Sequence, residues 1–381
     1  MPVPCSKSST RRPGPGSRSP PPMRFFGPRP VLMVVEPQSL CWMAGQKVPA
    51  RDGPTWAEQF ARLPNLRAVV RDDGTGLGKG LELDNARRRQ AGEPEIDSTL
   101  DVFHTLREGN RASRYTWKAA TNALERADAA QKRLDRRGRR GQSCQGHGTS
   151  VRRLWREAER AWDRATVAER AWGRAKGAFE FFTPPGRLND RAGAEAVVAA
   201  ALPALAGVAW AKTRRLLVRR ESFTFLDQIG PRLAGLGLAP EVLLALLDLE
   251  GLRRQRWRDS AATRAWALAR TVYLAKACPS WPEEARRVAA VLRGVWRASS
   301  LVECVNSVAR MQQARHRKMT QGLLDLKRLY WNLRRFRTGC RKNQTPYGLL
   351  GLQLPDLSFG EFLKLAPAEL RNQLSAHPVT P

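Results

Sequence analysis

Three groups of residues have the types and spacing for chemistry on phosphate. Asp72 and Asp73 follow the apolar run 66–70 and precede a glycine-rich stretch, GTGLGKG. Asp101 and His104 stand three apart in STLDVFHTL, residues 98–106. In LVECVNSVAR, residues 301–310, Glu303, Asn306, Ser307 and Arg310 recur at helical spacing on a different face from Leu301, Val305, Val308 and Met311. Carboxylates brought together can hold divalent cations that orient a water or sugar hydroxyl for in-line attack on a phosphodiester. Magnesium and manganese prefer oxygen ligands of this kind. Each group also has an ordinary role open to it. Asp72 reads equally as a turn residue or helix cap, His104 as a satisfied core histidine, and Glu303 as an acid on a solvated helix face. Nothing local separates Asp72 from Asp73. The glycines do not make a nucleotide loop: they lack GxGxxG spacing, and Gly78-Lys79 is followed by Gly80 where a phosphate loop needs Ser or Thr.

The elements that must position these groups follow from the hydrophobic pattern. Residues 31–35 read as a strand, 36–39 as a turn and 40–44 as a return strand. Thr55 and Glu58 have capping-box spacing ahead of a short helix. A strand over 66–70, a helix over about 76–90 and a strand-like segment over 98–106 complete an α/β layer with a mixed sheet. In an ideal strand Asp101 and His104 fall on opposite faces, so at least one requires the strand to end or bend.

From 110 to 182 the pattern is an antiparallel helical hairpin. Its seam sets Trp117, Ala120, Leu124, Ala127, Gln131 and Leu134 against Leu154, Ala158, Ala161, Ala165, Ala168 and Trp172, with an exposed tip over 138–148. Residues 190–297 are mostly helical with breaks at Pro203, Pro231, Pro240 and Pro282, and 323–337 form a basic amphipathic segment. A short tail follows from about 345. About 190 helical residues thus separate the last strand from Glu303, as if an α/β layer had been interrupted by a helical insert. Residues 1–30, rich in Pro, Ser, Gly and Arg, carry little to bury and are expected to be disordered.

Composition narrows the partner. Among 381 residues, 66 Lys and Arg oppose 35 Asp and Glu, a formal charge of +31. The simplest partner for such a chain is a polyanion, and nucleic acid above others. The six cysteines form no CxxC pair, which supports neither a disulfide framework nor a zinc ribbon. No signal peptide is recognisable, and the apolar stretch 196–211, broken by Pro203, reads as a buried helix rather than a membrane span. The twelve tryptophans read mostly as core anchors. Tyr330 and Trp331 could stack on bases if exposed.

RPVLMVVEPQSLCW, GPTWAEQF, RDDGTGLGKGL, LDVFHTLREG, SSLVECVNSVARMQQARHRKMTQGLLDLKRLYWNLRRFR and TPYGLLGL together resemble a bacterial insertion-sequence transposase of the Asp-Asp-Glu superfamily, over about 25–352. The resemblance implies a ribonuclease H-like mixed sheet interrupted by a large helical insertion, with a basic helical C-terminal part. It implies Asp72 as the second catalytic Asp and Glu303 as the Glu, both holding Mg²⁺ or Mn²⁺ in a two-metal site. It also implies an active-site role for Asp101 and His104 through an Asp-x-x-His feature. Arg310, Arg315, Arg317, Lys318, Arg334 and Arg335 are then candidates for contacts to DNA. The chain divides accordingly into a leader over 1–24, a first core part over 25–109, the insertion over 110–297, the Glu-bearing basic part over 298–345 and a tail over 346–381. One position departs from the pattern. Where the family carries an acid upstream of Phe25, this chain reads PPPMR, with Pro22 and Met23 in place of acids.

Two functions stay open at this point. One is metal-dependent strand cleavage and strand transfer on double-stranded DNA, at the element's ends and its target. The other is a catalytically inactive DNA-binding remnant, or a regulator assembled with itself or with a full-length transposase. Either is expected in the bacterial cytoplasm, associated with the nucleoid and with no membrane partner.

Overall fold

In the computed structural model, the described residues are 30–183, 187–254, 260–297, 302, 304–308, 319–352, 355, 357–366 and 368–369. The valine-rich run forms β1 (Val31–Val35), which pairs antiparallel with β2 (Trp42–Lys47) around a bulge at Val34/Val35. The turn between them is held by Glu36, which accepts from the backbone N–H of Gln38 and Ser39 and from the Ser39 hydroxyl. Helix α1 (Gly53–Ala61) follows. The capping box expected at Thr55 and Glu58 does not form. Asp52 caps the helix instead, accepting from Thr55 N at 3.1 Å, because Pro54 suits the first turn and starts the helix early. Glu58 pairs with Arg62 one turn on.

β3 (Ala68–Arg71), α2 (Thr75–Gln90) and β4 (Asp97–Leu100) form a parallel strand pair with a helical crossover. The single mixed sheet expected is not formed among the described residues: the antiparallel pair β1–β2 and the parallel pair β3–β4 are separate two-stranded sheets, with no ladder between β1 and β3. Instead, Met33, Val34 and Val35 face Ala68, Val69 and Val70 across an apolar cavity of about 570 Å³, which Trp296 and Val302 also line. The chain is otherwise mostly helical.

The glycines after Asp73 serve helix packing. A side chain at Gly76 would strike the Arg51 carbonyl, and one at Gly80 would strike Trp56, so α2 lies directly against α1.

The segment 98–106 is not one strand. It divides at Asp101, and α3 (Val102–Arg139) runs on without a break from there. α3 turns back as α4 (His147–Gly177) in an antiparallel pair. The seam keeps Ala120, Ala127, Ala158, Ala165, Ala168 and Trp172 of the expected line, but Ala123 and Ala130 take the places expected of Leu124 and Gln131. Ala120, Ala123, Ala127 and Ala130 are buried while Leu124 is exposed, because close-packed helices put their small residues on the contact line. Where the pair meets the body, Trp172 donates to Asn110 and Trp210 donates to Thr116, and the two rings lie 6.0 Å apart. Gly109 lies against the Trp172 ring, where no side chain fits.

A short hairpin, β5 (Phe182–Thr183) with β6 (Arg187–Leu188), leads into α5 (Arg191–Ala201), α6 (Ala211–Leu217), α7 (Thr224–Asp227) and α8 (Ile229–Ala234). These pack with α9 (Pro240–Arg254), α10 (Ala261–Ala277) and α11 (Trp281–Arg293) around a core that includes Trp172, Phe223, Phe225 and Leu246. This helical block covers the outer edge of β4. Thr224 Oγ1 donates to Ser98 O at 2.8 Å, and Arg71 bridges Ser98 and Glu221.

The outer edge of β2 is closed by α12 (Gln321–Leu333). The Asn332 amide accepts from Trp42 N and donates to Trp42 O; the Gln321 amide accepts from Lys47 N and donates to Gly45 O. Two side-chain amides thus satisfy a strand edge that would otherwise be open to another chain. Residues 304–308 are helical, and Val305 is fully buried with Trp42, Met319 and Leu324. No helix among the described residues is long and apolar enough to cross a membrane.

Candidate functional site

Parallel pairing of β3 with β4 sets Arg71 opposite Leu100, so the residues that follow each strand emerge side by side. Asp72 and Asp73 follow β3, and Asp101 follows β4. With Gly74, His104, Arg107, Glu108, Lys212 and Arg215 they line an open cleft of about 290 Å³. The two acid groups read from the sequence therefore meet. So do Asp101 and His104, which strand periodicity set on opposite faces. Ending the strand at Leu100 places Asp101 as the N-cap of α3 and His104 in its first turn. One Asp101 oxygen accepts from His104 N at 3.2 Å and the other meets His104 Nδ1 at 2.8 Å.

Asp101 is 1% exposed and is committed to this pair. Its hydrogen bond, then its charge, raise the His104 pKa above the ordinary histidine value, and Asp72 adds to the effect. Partial burial of the ring and the Arg107 charge oppose it. With Nδ1 held by a carboxylate, Nε2 is the nitrogen left for a ligand. Such a ring can exchange a proton with a bound group or, when charged, donate to a phosphate oxygen.

The structure separates the neighbouring acids Asp72 and Asp73. Asp73 accepts from Arg215 at 2.5 Å and from Arg219 at 2.6 Å, both from the helical block. Its charge is neutralised in place. Glu108 pairs with Lys212 at 3.2 Å. Asp72 is exposed and accepts from the N–H of Gly74 at 3.0 Å. It is the cleft carboxylate without a cationic partner among the described residues, and so the one suited to a metal ion. The described residues contain no group of three His, Cys, Asp or Glu placed to hold a metal.

Glu303, Arg310, Arg315, Arg317 and Lys318 lie outside the described residues. Val302, next to Glu303, lines the apolar cavity with Val70 and Thr99, each two residues before a cleft acid. Arg334 and Arg335 are exposed just beyond α12, and Arg335 donates to Asn343 O. Tyr330 is 48% exposed against Phe359, whereas Trp331 is half-buried and donates to Leu40 O, so stacking on a base is open to Tyr330 alone of that pair. Glu36 is occupied by its turn and does not reach the cleft lining.

Sequence reading missed Lys212, Arg215 and Arg219. Lys212 and Arg215 lie on α6 and Arg219 just after it; the approach of that segment to β3 is a tertiary event, and the only local signal is the i, i+4 spacing of Arg215 and Arg219. Comparison of the chain with protein-family models, curated proteins and solved structures returns no match.

Proposed function

We propose that this chain binds double-stranded DNA as a member of the Asp-Asp-Glu transposase superfamily and acts on the phosphodiester backbone at the Asp72 cleft. The observation that carries the reading is the emergence of Asp72 beside the Asp101–His104 pair at the ends of two parallel strands, in a chain of net charge +31. Asp72 would share a Mg²⁺ or Mn²⁺ ion with Glu303. Bound there, the ion would orient and activate an attacking hydroxyl for strand cleavage and transfer. His104 would position a phosphate or flanking strand, and Arg107 would neutralise charge at the cleft mouth. Residues Arg310, Arg315, Arg317, Lys318, Arg334 and Arg335 would hold the DNA backbone.

The test is calorimetric titration of Mn²⁺ into the protein and into D72A and E303A variants. Saturable binding that both variants lose supports the metal reading; binding unchanged by either variant refutes it. The second reading, a DNA-binding remnant or regulator of a full-length transposase, is favoured by the neutralisation of Asp73 and Glu108 within the same cleft. It predicts salt-dependent DNA binding indifferent to Mn²⁺.

A further inference from the structure

The α3–α4 pair continues well beyond the body. Along α3, Glu108 pairs with Lys212 and Thr116 accepts from Trp210 of the body, whereas Ser113 bonds to Glu169 within the pair itself. Farther out, Ala123, Ala127 and Ala158 form their own small cluster, packed only by Leu154, Trp155 and Ala161 of the same pair. From Lys118 to Arg139 the free shaft is about 33 Å long, at ~1.5 Å per residue.

Charge along this arm is not uniform. In the shaft, residues 118–131 balance Lys118 and Arg126 against Glu125 and Asp128. On the returning helix, residues 161–170 balance Arg164 and Arg170 against Asp163 and Glu169. The distal segment 132–160 carries ten Lys and Arg against three acids. Two of those cations have acid partners, Lys132 with Asp128 and Arg153 with Glu157. Arg133, Arg136, Arg139, Arg140, Arg156 and Arg160 are exposed with no acid partner among the described residues. The C-terminus of α3 accounts for Arg136, Arg137 and Arg139, which favour its negative end. It gives no account of Arg152, Arg153, Arg156 and Arg160 on α4. A basic composition shared by the whole chain would not leave the shaft neutral and the tip positive.

We infer that the tip of this arm is a second DNA-contacting surface, gripping the phosphate backbone of a duplex that also enters the Asp72 cleft. The inference rests on DNA being the ligand of that cleft. Because α3 begins at Asp101 and ends at Arg139 without a break, one rigid helix fixes the tip about 57 Å from the cleft. That span is about 17 base pairs of duplex at ~3.4 Å per pair. The tip touches phosphates and is indifferent to base sequence: its arginines lie on two helices around a glycine-containing turn rather than along one face that fits a groove.

The experiment is fluorescence anisotropy with 12- and 30-base-pair duplexes over a range of salt concentration. It compares the full chain with a tip variant (R136Q/R139Q/R140Q/R156Q) and a shaft control (K118Q/R126Q). Each phosphate that a variant no longer neutralises should flatten the dependence of log K on log salt by about 0.9. The tip variant is expected to give a slope shallower by about 3.6 on the long duplex, with no change on the short one, while the shaft control keeps the native slope. An unchanged slope on the long duplex overturns the arm inference and leaves the cleft reading intact. Equal flattening on both duplexes overturns the separation of the two binding surfaces. No salt-dependent binding of any duplex by the native chain overturns the cleft reading and the arm inference together. Circular dichroism of the tip variant, expected to match the native chain, distinguishes removal of charge from unfolding of the arm.

Discussion

Replacing Asp101 tests the geometry of the cleft most directly, since one carboxylate both caps α3 and holds His104. Asp101→Ala removes the cap, worth about 1 kcal/mol, and a charge-assisted hydrogen bond, worth roughly 1.5–3 kcal/mol. Asp101→Asn keeps a good cap, as Asn and Asp rank together there. It costs only the difference between a charged and a neutral hydrogen bond, about 1–1.5 kcal/mol. That second cost depends on pH in a fixed direction. The folded pKa of His104 is raised by Asp101, so the stability it contributes is fully present below the unfolded histidine pKa and is lost as pH rises through the folded value. The gap between native chain and D101N is therefore wider at about pH 5.5 than at about pH 9. Urea denaturation at the two pH values measures it. NMR titration of the His104 ring, assigned with an H104Q variant, is expected to show a lower pKa in D101N. An equal gap at both pH values, or an unchanged His104 titration, would refute the pairing as the source of the shift.

Two further outcomes follow from buried groups. Arg88 is fully buried, donates to Asp84 at 2.8 Å and reaches the carbonyls of Leu63 and Pro94. Arg88→Ala leaves the Asp84 carboxylate buried without that partner and is expected to cost roughly 3–5 kcal/mol in thermal unfolding. The double variant D84N/R88M should cost less than R88A alone; the reverse order would contradict this account. Burial, and then the Glu36 charge, push the Cys41 thiol up to about 12. Iodoacetamide at pH 8 should therefore label the exposed Cys304 and Cys340 in the native chain and reach Cys41 only in urea, as read by mass spectrometry.

The parts legible in the sequence were those with strong local signals. The valine run of β1, the crossover 68–100 and the long hairpin all follow from hydrophobic period. The choice of Asp72 over Asp73, and the active-site role given to Asp101 and His104, came from the family resemblance and not from period. Two kinds of feature escaped. Small residues misled the seam, because periodicity weights Leu124 above Ala123 whereas close packing does the opposite. Alternation also carried the strand through Asp101, when the cap hydrogen bond to His104 N decides in favour of helix. The neutralisation of Asp73 could not be read at all. Its partners Arg215 and Arg219 lie more than 140 positions away, and their arrival depends on how the helical block docks against β4. The same docking turned two adjacent aspartates, indistinguishable in sequence, into one neutralised acid and one left open.

The closure of β2 by α12 has a consequence for synthesis. The bond from Lys47 to Gln321 spans 274 positions. On a ribosome adding ~5–20 residues per second, roughly 14–55 s pass between the emergence of the two partners. Throughout that interval the β1–β2 hairpin is finished but bare. Trp42 lacks Val305, Met319 and Leu324, and the strand edge lacks both amides. An edge in that state is a template for pairing with neighbouring nascent chains on the same message. The first strands of the structure thus depend on its last long helix, and a chain halted before that helix carries the liability permanently.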